Sequence, residues 1–247
     1  MGTQTRKPEN EPHQPVEDPA AFGTYSSPPC FMHELDPSFV GLDGGSERIG
    51  DPPLPAGSLD WPAIRQWRKA TRTQLIERRL QIGSAERADW SGRIDKALAE
   101  ALSSASGKLV GFYWPFRGEY DARTLLTGLR TRGVRLALPV VVAKAQPLQF
   151  REWWPGVAMS RGVWNIPIPA EGEPLLPDIL LAPLVGFDVS GFRLGYGGGF
   201  YDRTIAAMPS KPQTIGVGFE LSRLDTIHPQ PHDMRMDLII TERASTP

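Results

Sequence analysis

The segment Asp178-Ile-Leu-Leu-Ala-Pro-Leu-Val-Gly-Phe-Asp-Val-Ser-Gly-Phe-Arg-Leu-Gly-Tyr-Gly-Gly-Gly-Phe-Tyr-Asp202 runs from an apolar stretch through a glycine-rich loop into a helical pattern. The opening run, Asp178–Pro183, is short and apolar after its first residue, so it reads as a strand buried on both faces. A helix from about Phe200 to Met208 follows the loop. A buried strand, a tight loop and a helix in that order form the unit of a layered α/β fold with a parallel sheet.

The alternation extends in both directions. Asp60 caps a helix with Trp61-Pro62 in its first turn, where proline is tolerated, and Ile64, Trp67, Thr71 and Leu75 recur at helical spacing. Gly83 ends that helix. Ser84 starts a second one, with Glu86 in its first turn and Ile94, Ala97, Leu98, Ala101 and Leu102 as its buried face. Lys108–Pro115 predicts a buried strand stopped by proline. Asp121 caps a helix through about Arg132 that buries Leu125, Leu126 and Leu129. Val134–Leu138 and Leu148–Trp153 give two further strands, and Thr214–Gly218 and Met236–Thr241 the last two. The expectation is an α/β three-layer sandwich around a mostly parallel sheet, with no internal repeat.

Bulk properties narrow the function. Of 247 residues, 40% are hydrophobic and 22% charged, an ordinary globular composition. No apolar run is long enough for a bilayer, and no apolar stretch follows the basic pair Arg6-Lys7, so neither a membrane span nor a secretory signal is expected. One cysteine, Cys30, excludes an internal disulfide and a cysteine-rich metal site; the chain reads as cytoplasmic. Residues 1–60 hold 10 of the 25 prolines and carry three Lys and Arg against ten Asp and Glu, which predicts an extended or partly disordered extension. Residues 61–247 form a separate domain. They carry 24 Lys and Arg against 18 Asp and Glu, a balance that suits an anionic small molecule and is too weak for nucleic acid.

The loop itself has the chemistry of a phosphate site. Successive glycines let backbone N–H groups converge without side-chain obstruction, and the helix start adds unsatisfied donors with partial positive charge. Arg193 offers a bidentate contact to phosphate, and Asp202 an oxygen ligand for Mg. It is neither a Walker loop, since Phe200 follows Gly199, nor a dinucleotide fingerprint, which would need glycine at position 200. The alternative is a structural turn in which Arg193 and Asp202 pair with each other.

The order of residues from Phe187 to Arg203, with Gly191, Arg193, Gly195, Gly197, Gly198, Gly199, Tyr201 and Asp202 at fixed positions, resembles the signature of the 5-formyltetrahydrofolate cyclo-ligase family. Four further segments fall in the family's order: Arg68-Lys-Ala-Thr-Arg72, Gly118-Glu-Tyr-Asp121, Trp164-Asn-Ile-Pro-Ile-Pro169 and Asp233–Glu242. The resemblance covers about residues 64–242. It implies a fold of the sugar-phosphate isomerase and CoA-transferase type, and ATP- and Mg-dependent closure of 5-formyltetrahydrofolate to 5,10-methenyltetrahydrofolate.

The resemblance also implies roles. Arg193, Gly195, Tyr196, Gly197, Gly198, Gly199, Phe200 and Tyr201 would form the ATP loop, with Arg72 and either Arg68 or Lys69 reaching phosphate from the first helix. Arg193, Tyr201 and Asp202 would be catalytic, and Asp202 and Asp237 would hold Mg. Glu119 would accept hydrogen bonds from the pterin ring, and Trp164, Phe200, Tyr113 and Met159 would line the folate pocket. Each has a plainer alternative: Glu119 as a helix N-terminal charge, Trp164 as core, Asp237 paired with Arg235 or Arg243, Arg78 on a solvated face. His228 and His232 read as loop residues. Two rival functions share the fold: a cyclo-ligase-like ATP- and folate-binding protein without turnover or with another substrate, and an isomerase- or transferase-like enzyme that needs no nucleotide.

Overall fold

A computed structural model describes residues 60–243 together with 245 and 246. The predicted proline-rich extension, up to residue 59, lies outside the described residues. The chain begins with α1 (Trp61–Leu80), α2 (Ser84–Ala101), β1 (Leu109–Gly111), α3 (Arg123–Arg130), β2 (Arg135–Val140), β3 (Gln149–Glu152), β4 (Met159–Arg161) and β5 (Pro167–Pro169). It continues with β6 (Ile179–Pro183), β7 (Gly186–Asp188), β8 (Arg193–Leu194), α4 (Phe200–Ala207), β9 (Gln213–Val217), β10 (Arg223–Leu224), β11 (Leu238–Ile240) and β12 (Ser245–Thr246).

Seven strands form one sheet in the order β12-β11-β9-β6-β1-β2-β3. The inner five are parallel, and the edge strands β12 and β3 are antiparallel to their neighbours. Side chains alternate between two apolar clusters, as a strand's period of two requires. Leu136, Leu138, Ile179 and Leu181 join Ile94, Leu98, Leu126 and Leu129 of α2 and α3. Ala137, Leu180 and Ala182 join Phe200 and Ile205 of α4. Helices therefore cover both faces, as the sequence predicts. Among the described residues no helix is long and apolar enough to cross a membrane.

Caps and breaks follow local chemistry. Asp60 accepts the Ala63 N–H at 2.9 Å, ahead of the buried stripe Ile64, Arg68, Thr71, Leu75, Ile76 and Arg79 of α1. Trp67, expected in that stripe, is half-buried with its ring edge-on to His228, and buried Arg68 stands in its place. The strand predicted over Lys108–Pro115 is only three residues of ladder, because the chain leaves the sheet after Phe112 for a tight turn at Arg117 and Gly118, both with positive φ. Asp121 spends its carboxylate on the Arg123 N–H and guanidinium, and the N-cap of α3 is Ala122, one residue later than expected.

Two small elements were not legible in the sequence. β4 and β5 form an antiparallel ribbon, and β10, β7 and β8 form a three-stranded sheet. Strand order reverses between β1, which leads to β2 and β3, and β6, which leads to β9 and β11. In open α/β sheets, ligands bind at such a switch point, beyond the carboxyl ends of the strands. A cleft opens there, lined by Tyr113 after β1, Pro139 near the end of β2 and Pro183 at the end of β6.

Candidate active site

The β7–β8 hairpin explains the first half of the signature. Asp188 Oδ1 accepts the N–H groups of Ser190 and Phe192, and its Oδ2 accepts that of Ile227. Gly191 takes the left-handed turn position at φ +84°, where an added Cβ would lie 3.1 Å from Arg235 Nε. The hairpin thus delivers Arg193 into the protein and aims the following loop at the cleft. In that loop Gly197 has φ +99° and Gly199 φ +60°, conformations that side-chain-bearing residues resist. Gly199 is the N-cap of α4 and supplies no side-chain cap, so the helix end faces the cleft with its own N–H groups.

Cations surround the loop. Arg72 donates from Nε to the Gly195 carbonyl at 2.7 Å. Burial, then repulsion from Arg68, lowers Arg72 to about 10, with Asp233 opposing, so it stays charged at neutral pH. Arg193 and Asp202 form a buried bidentate pair at 2.8 and 3.1 Å, and Asp202 Oδ1 also accepts the Met234 N–H. Arg68 pairs with Asp233 at 2.5 Å and donates to the carbonyls of Ile227 and His228.

The other part of the cleft is apolar, with a single carboxylate. Glu119 accepts the Phe116 N–H at 2.9 Å on one oxygen and the Tyr196 hydroxyl at 2.8 Å on the other. Burial raises its carboxyl on balance, opposed in part by Arg79, the Tyr196 hydroxyl, the Phe116 amide and Arg117. Trp164 sits in the β4–β5 turn at φ 57°, followed by Asn165 at φ 60°. Left-handed backbone at such residues costs about 1–3 kcal/mol each, strain typical of ligand clamps. The indole meets Phe200 edge-on at 6.4 Å, and its buried N–H has no partner among the described residues. The Tyr201 hydroxyl, equally buried, has none either; burial first and then Glu119 push it up. Tyr113 donates to the Tyr120 carbonyl at 3.1 Å.

Of the residues the sequence nominates, Arg68, Arg72, Tyr113, Glu119, Trp164 and Arg193 line this one cleft, together with the loop from Gly195 to Asp202. Three do not. Lys69 is exposed on α1 and off the cleft, which leaves Arg68 as the cation there. Met159, on β4, packs against the α2–α3 core cluster. Asp237 precedes β11, accepts the N–H and hydroxyl of Thr214 at 2.8 Å each, and pairs with Lys211 at 2.6 Å. Asp233, four residues earlier, does line the cleft.

Asp233, in the cleft lining, and Arg79, buried on α1, are charged residues that the sequence reading does not nominate. From the segment Asp233–Glu242 the resemblance nominates Asp237 alone. Arg79 continues the buried face through Arg68, Thr71, Leu75 and Ile76, and a cation on an otherwise sealed stripe was the available signal. Among the described residues no group of three or more His, Cys, Asp or Glu could hold a metal ion.

Comparison with known proteins identifies relatives of this chain. The profile of the 5-formyltetrahydrofolate cyclo-ligase family matches residues 64–242. The 5-formyltetrahydrofolate cyclo-ligase of Mycolicibacterium smegmatis is 36% identical over 185 residues, covering 70% of this chain and 92% of that protein. The Haemophilus influenzae cyclo-ligase is 25% identical over 185 residues, covering 71% of this chain and 98% of that one. The solved structure of Aquifex aeolicus 5,10-methenyltetrahydrofolate synthetase superposes with a TM-score of 0.63 at 25% identity, over 72% of this chain and 91% of that one. The match spans the cleft and every element that builds it, and the chain belongs to the 5-formyltetrahydrofolate cyclo-ligase family.

Proposed function

We propose that residues 61–247 form an enzyme that converts 5-formyltetrahydrofolate and ATP to 5,10-methenyltetrahydrofolate, ADP and phosphate. The observation that carries this reading is the union, in one cleft, of a cation-lined glycine loop with an aromatic pocket holding a buried carboxylate. The oxygen of an N-formyl group, bonded to the formyl carbon, is a poor leaving group. Transfer of the γ-phosphoryl group to that oxygen, with ADP leaving, makes it a good one. N10 then attacks the formyl carbon, the C–O bond breaks, phosphate leaves with the oxygen, and the N10 proton passes to solvent.

Catalysis of this kind is chiefly positioning and charge stabilisation. The glycine loop, Arg72 and Arg193 take the ATP phosphates, and Arg68 holds the neighbouring segment through Asp233. Glu119 accepts from the adjacent N–H groups of the pterin. Each of its oxygens has one partner here, and a carboxylate oxygen can take another. Trp164 and Phe200 pack on the ring, and the unpartnered Trp164 N–H and Tyr201 hydroxyl offer polar contacts to the bound substrate.

The donor set fits Mg, which takes oxygen ligands and is often held by one or two carboxylates plus substrate phosphates. Asp202 and Asp233 would hold it, each released in part from its arginine. When bound, the ion neutralises phosphate charge. Demand for ATP and the single cysteine support a cytoplasmic setting. The test is absorbance in the methenyl-folate band with 5-formyltetrahydrofolate, Mg and ATP. An ATP-dependent rise is expected; no rise from folded protein that binds ATP would mark a binding protein instead.

A further inference from the structure

Arg79 lies outside the reaction as described, yet it is the largest fully buried side chain of the described residues, 2% exposed. Its guanidinium is fixed by three acceptors from separate parts of the chain. Nε donates to the Arg117 carbonyl and Nη1 to the Leu184 carbonyl, both at 2.9 Å, and Nη2 to the Tyr196 hydroxyl at 2.8 Å. The Arg79 carbonyl in turn accepts from Arg87, whose other nitrogen binds the Gly118 carbonyl beside Glu119. Glu119 is the carboxylate within ion-pair reach, 4.0 Å from Nη2. Tyr196 joins the two, accepting from Arg79 and donating to Glu119.

A buried guanidinium keeps its proton, and a buried carboxylate without a counter-charge gives up its charge. The pair therefore decides what Glu119 can do. As a carboxylate it is acceptor-only and selects a ligand edge with two N–H donors. As a neutral acid it would present a donor to those donors. We infer that Arg79 is a positioning residue for the folate pocket: through Tyr196 it holds Glu119 in place as a carboxylate, and so sets the pocket's choice of a ligand edge bearing paired N–H groups. The inference rests on Glu119 meeting the folate, as proposed above.

The groups facing Glu119 bear on its titration. Arg79 on α1, Arg117 in its own turn and the Phe116 amide favour the charged form, as does the Tyr196 hydroxyl from the glycine loop. The buried phenols Tyr113 and Tyr201 also face it but remain neutral, both pushed up by burial. Burial already outweighs the groups that favour the charged form and raises the carboxyl; with Arg79 gone it is opposed less, and Glu119 protonates at higher pH still. Folate affinity, which needs the carboxylate, is then lost as pH falls through that raised value.

The test is calorimetric binding of 5-formyltetrahydrofolate and, separately, of ATP to the wild type, Arg79→Met, Arg79→Lys and Tyr196→Phe at pH 6.5 and 8.5. Wild-type folate affinity should be nearly flat with pH. Arg79→Met should weaken folate by about tenfold or more at pH 6.5, recover toward pH 8.5, and bind ATP within about twofold of wild type. Arg79→Lys should restore most of the loss. Tyr196→Phe, which keeps the ring, should show a smaller loss with the same pH direction and serves if Arg79→Met does not fold. Equal loss of both ligands at both pH values, or wild-type folate affinity in both Arg79→Met and Tyr196→Phe, would overturn the inference and leave the proposed reaction standing. A wild type that binds no folate would overturn both.

Discussion

Two of the arginine–carboxylate pairs at the cleft, Arg193–Asp202 and Arg79–Glu119, are built differently. Arg193 and Asp202 meet directly, with both oxygens engaged and a backbone N–H added to one. Arg79 and Glu119 stand 4.0 Å apart with the Tyr196 hydroxyl between them, and Glu119 keeps accepting capacity on each oxygen. In the proposed reaction a polyphosphate would compete with Asp202 for Arg193, so the first pair would exchange partners when ATP binds. The second pair is a fixed frame that a ligand joins without displacing anything.

The largest expected effect breaks the first pair. Asp202→Asn keeps the size and an acceptor for the Met234 N–H but removes the charge. Loss of a preorganised charge at such a site costs about 10²–10³-fold in rate, so kcat should fall by that order with the circular dichroism spectrum unchanged. Arg193→Ala should be as damaging to turnover but also less stable by about 3–5 kcal/mol, because it strands a buried carboxylate; denaturant unfolding reads the difference. In the second pair, Glu119→Gln should raise the folate KM by about 10–100-fold, the worth of a hydrogen bond to a charged group. ATP affinity should move little, which steady-state kinetics with each substrate varied would show.

A smaller effect is expected from Gly197→Ala. A Cβ there would lie 3.4 Å from Arg72 Cζ at a φ of +99°. The strain, about 1–3 kcal/mol, should weaken ATP binding by about tenfold and leave folate affinity alone. Smallest are Lys69→Ala and Asp237→Asn, whose side chains lie off the cleft; both should keep turnover within about twofold, since substitutions away from buried features stay near ±0.5 kcal/mol. A large loss of turnover in either would return that residue to the site.

Helices and inner strands were legible because their apolar periods are local. Ile94, Leu98 and Leu102 are buried at helical spacing, and Ile179–Ala182 is apolar on both faces, as read from the sequence. The β4–β5 ribbon was not legible, since Met159–Arg161 and Pro167–Pro169 carry no alternating apolar pattern and pair across a strained turn at Trp164. The signature from Phe187 to Asp202 carried the phosphate side of the site, because its glycines and charges are contiguous. The places of Asp233 in the cleft and of Arg79 beneath it depend on contacts over more than a hundred residues, such as Arg68 with Asp233 and Arg79 with Tyr196. No local pattern encodes those.

The most direct test of the proposed chemistry follows one atom. With 5-formyltetrahydrofolate labelled with ¹⁸O at the formyl oxygen, a single turnover with ATP should place the label in the released phosphate, because that oxygen leaves bonded to phosphorus. Methenyl product accompanied by unlabelled phosphate would contradict the account, since ring closure would then proceed without phosphorylation of the formyl oxygen.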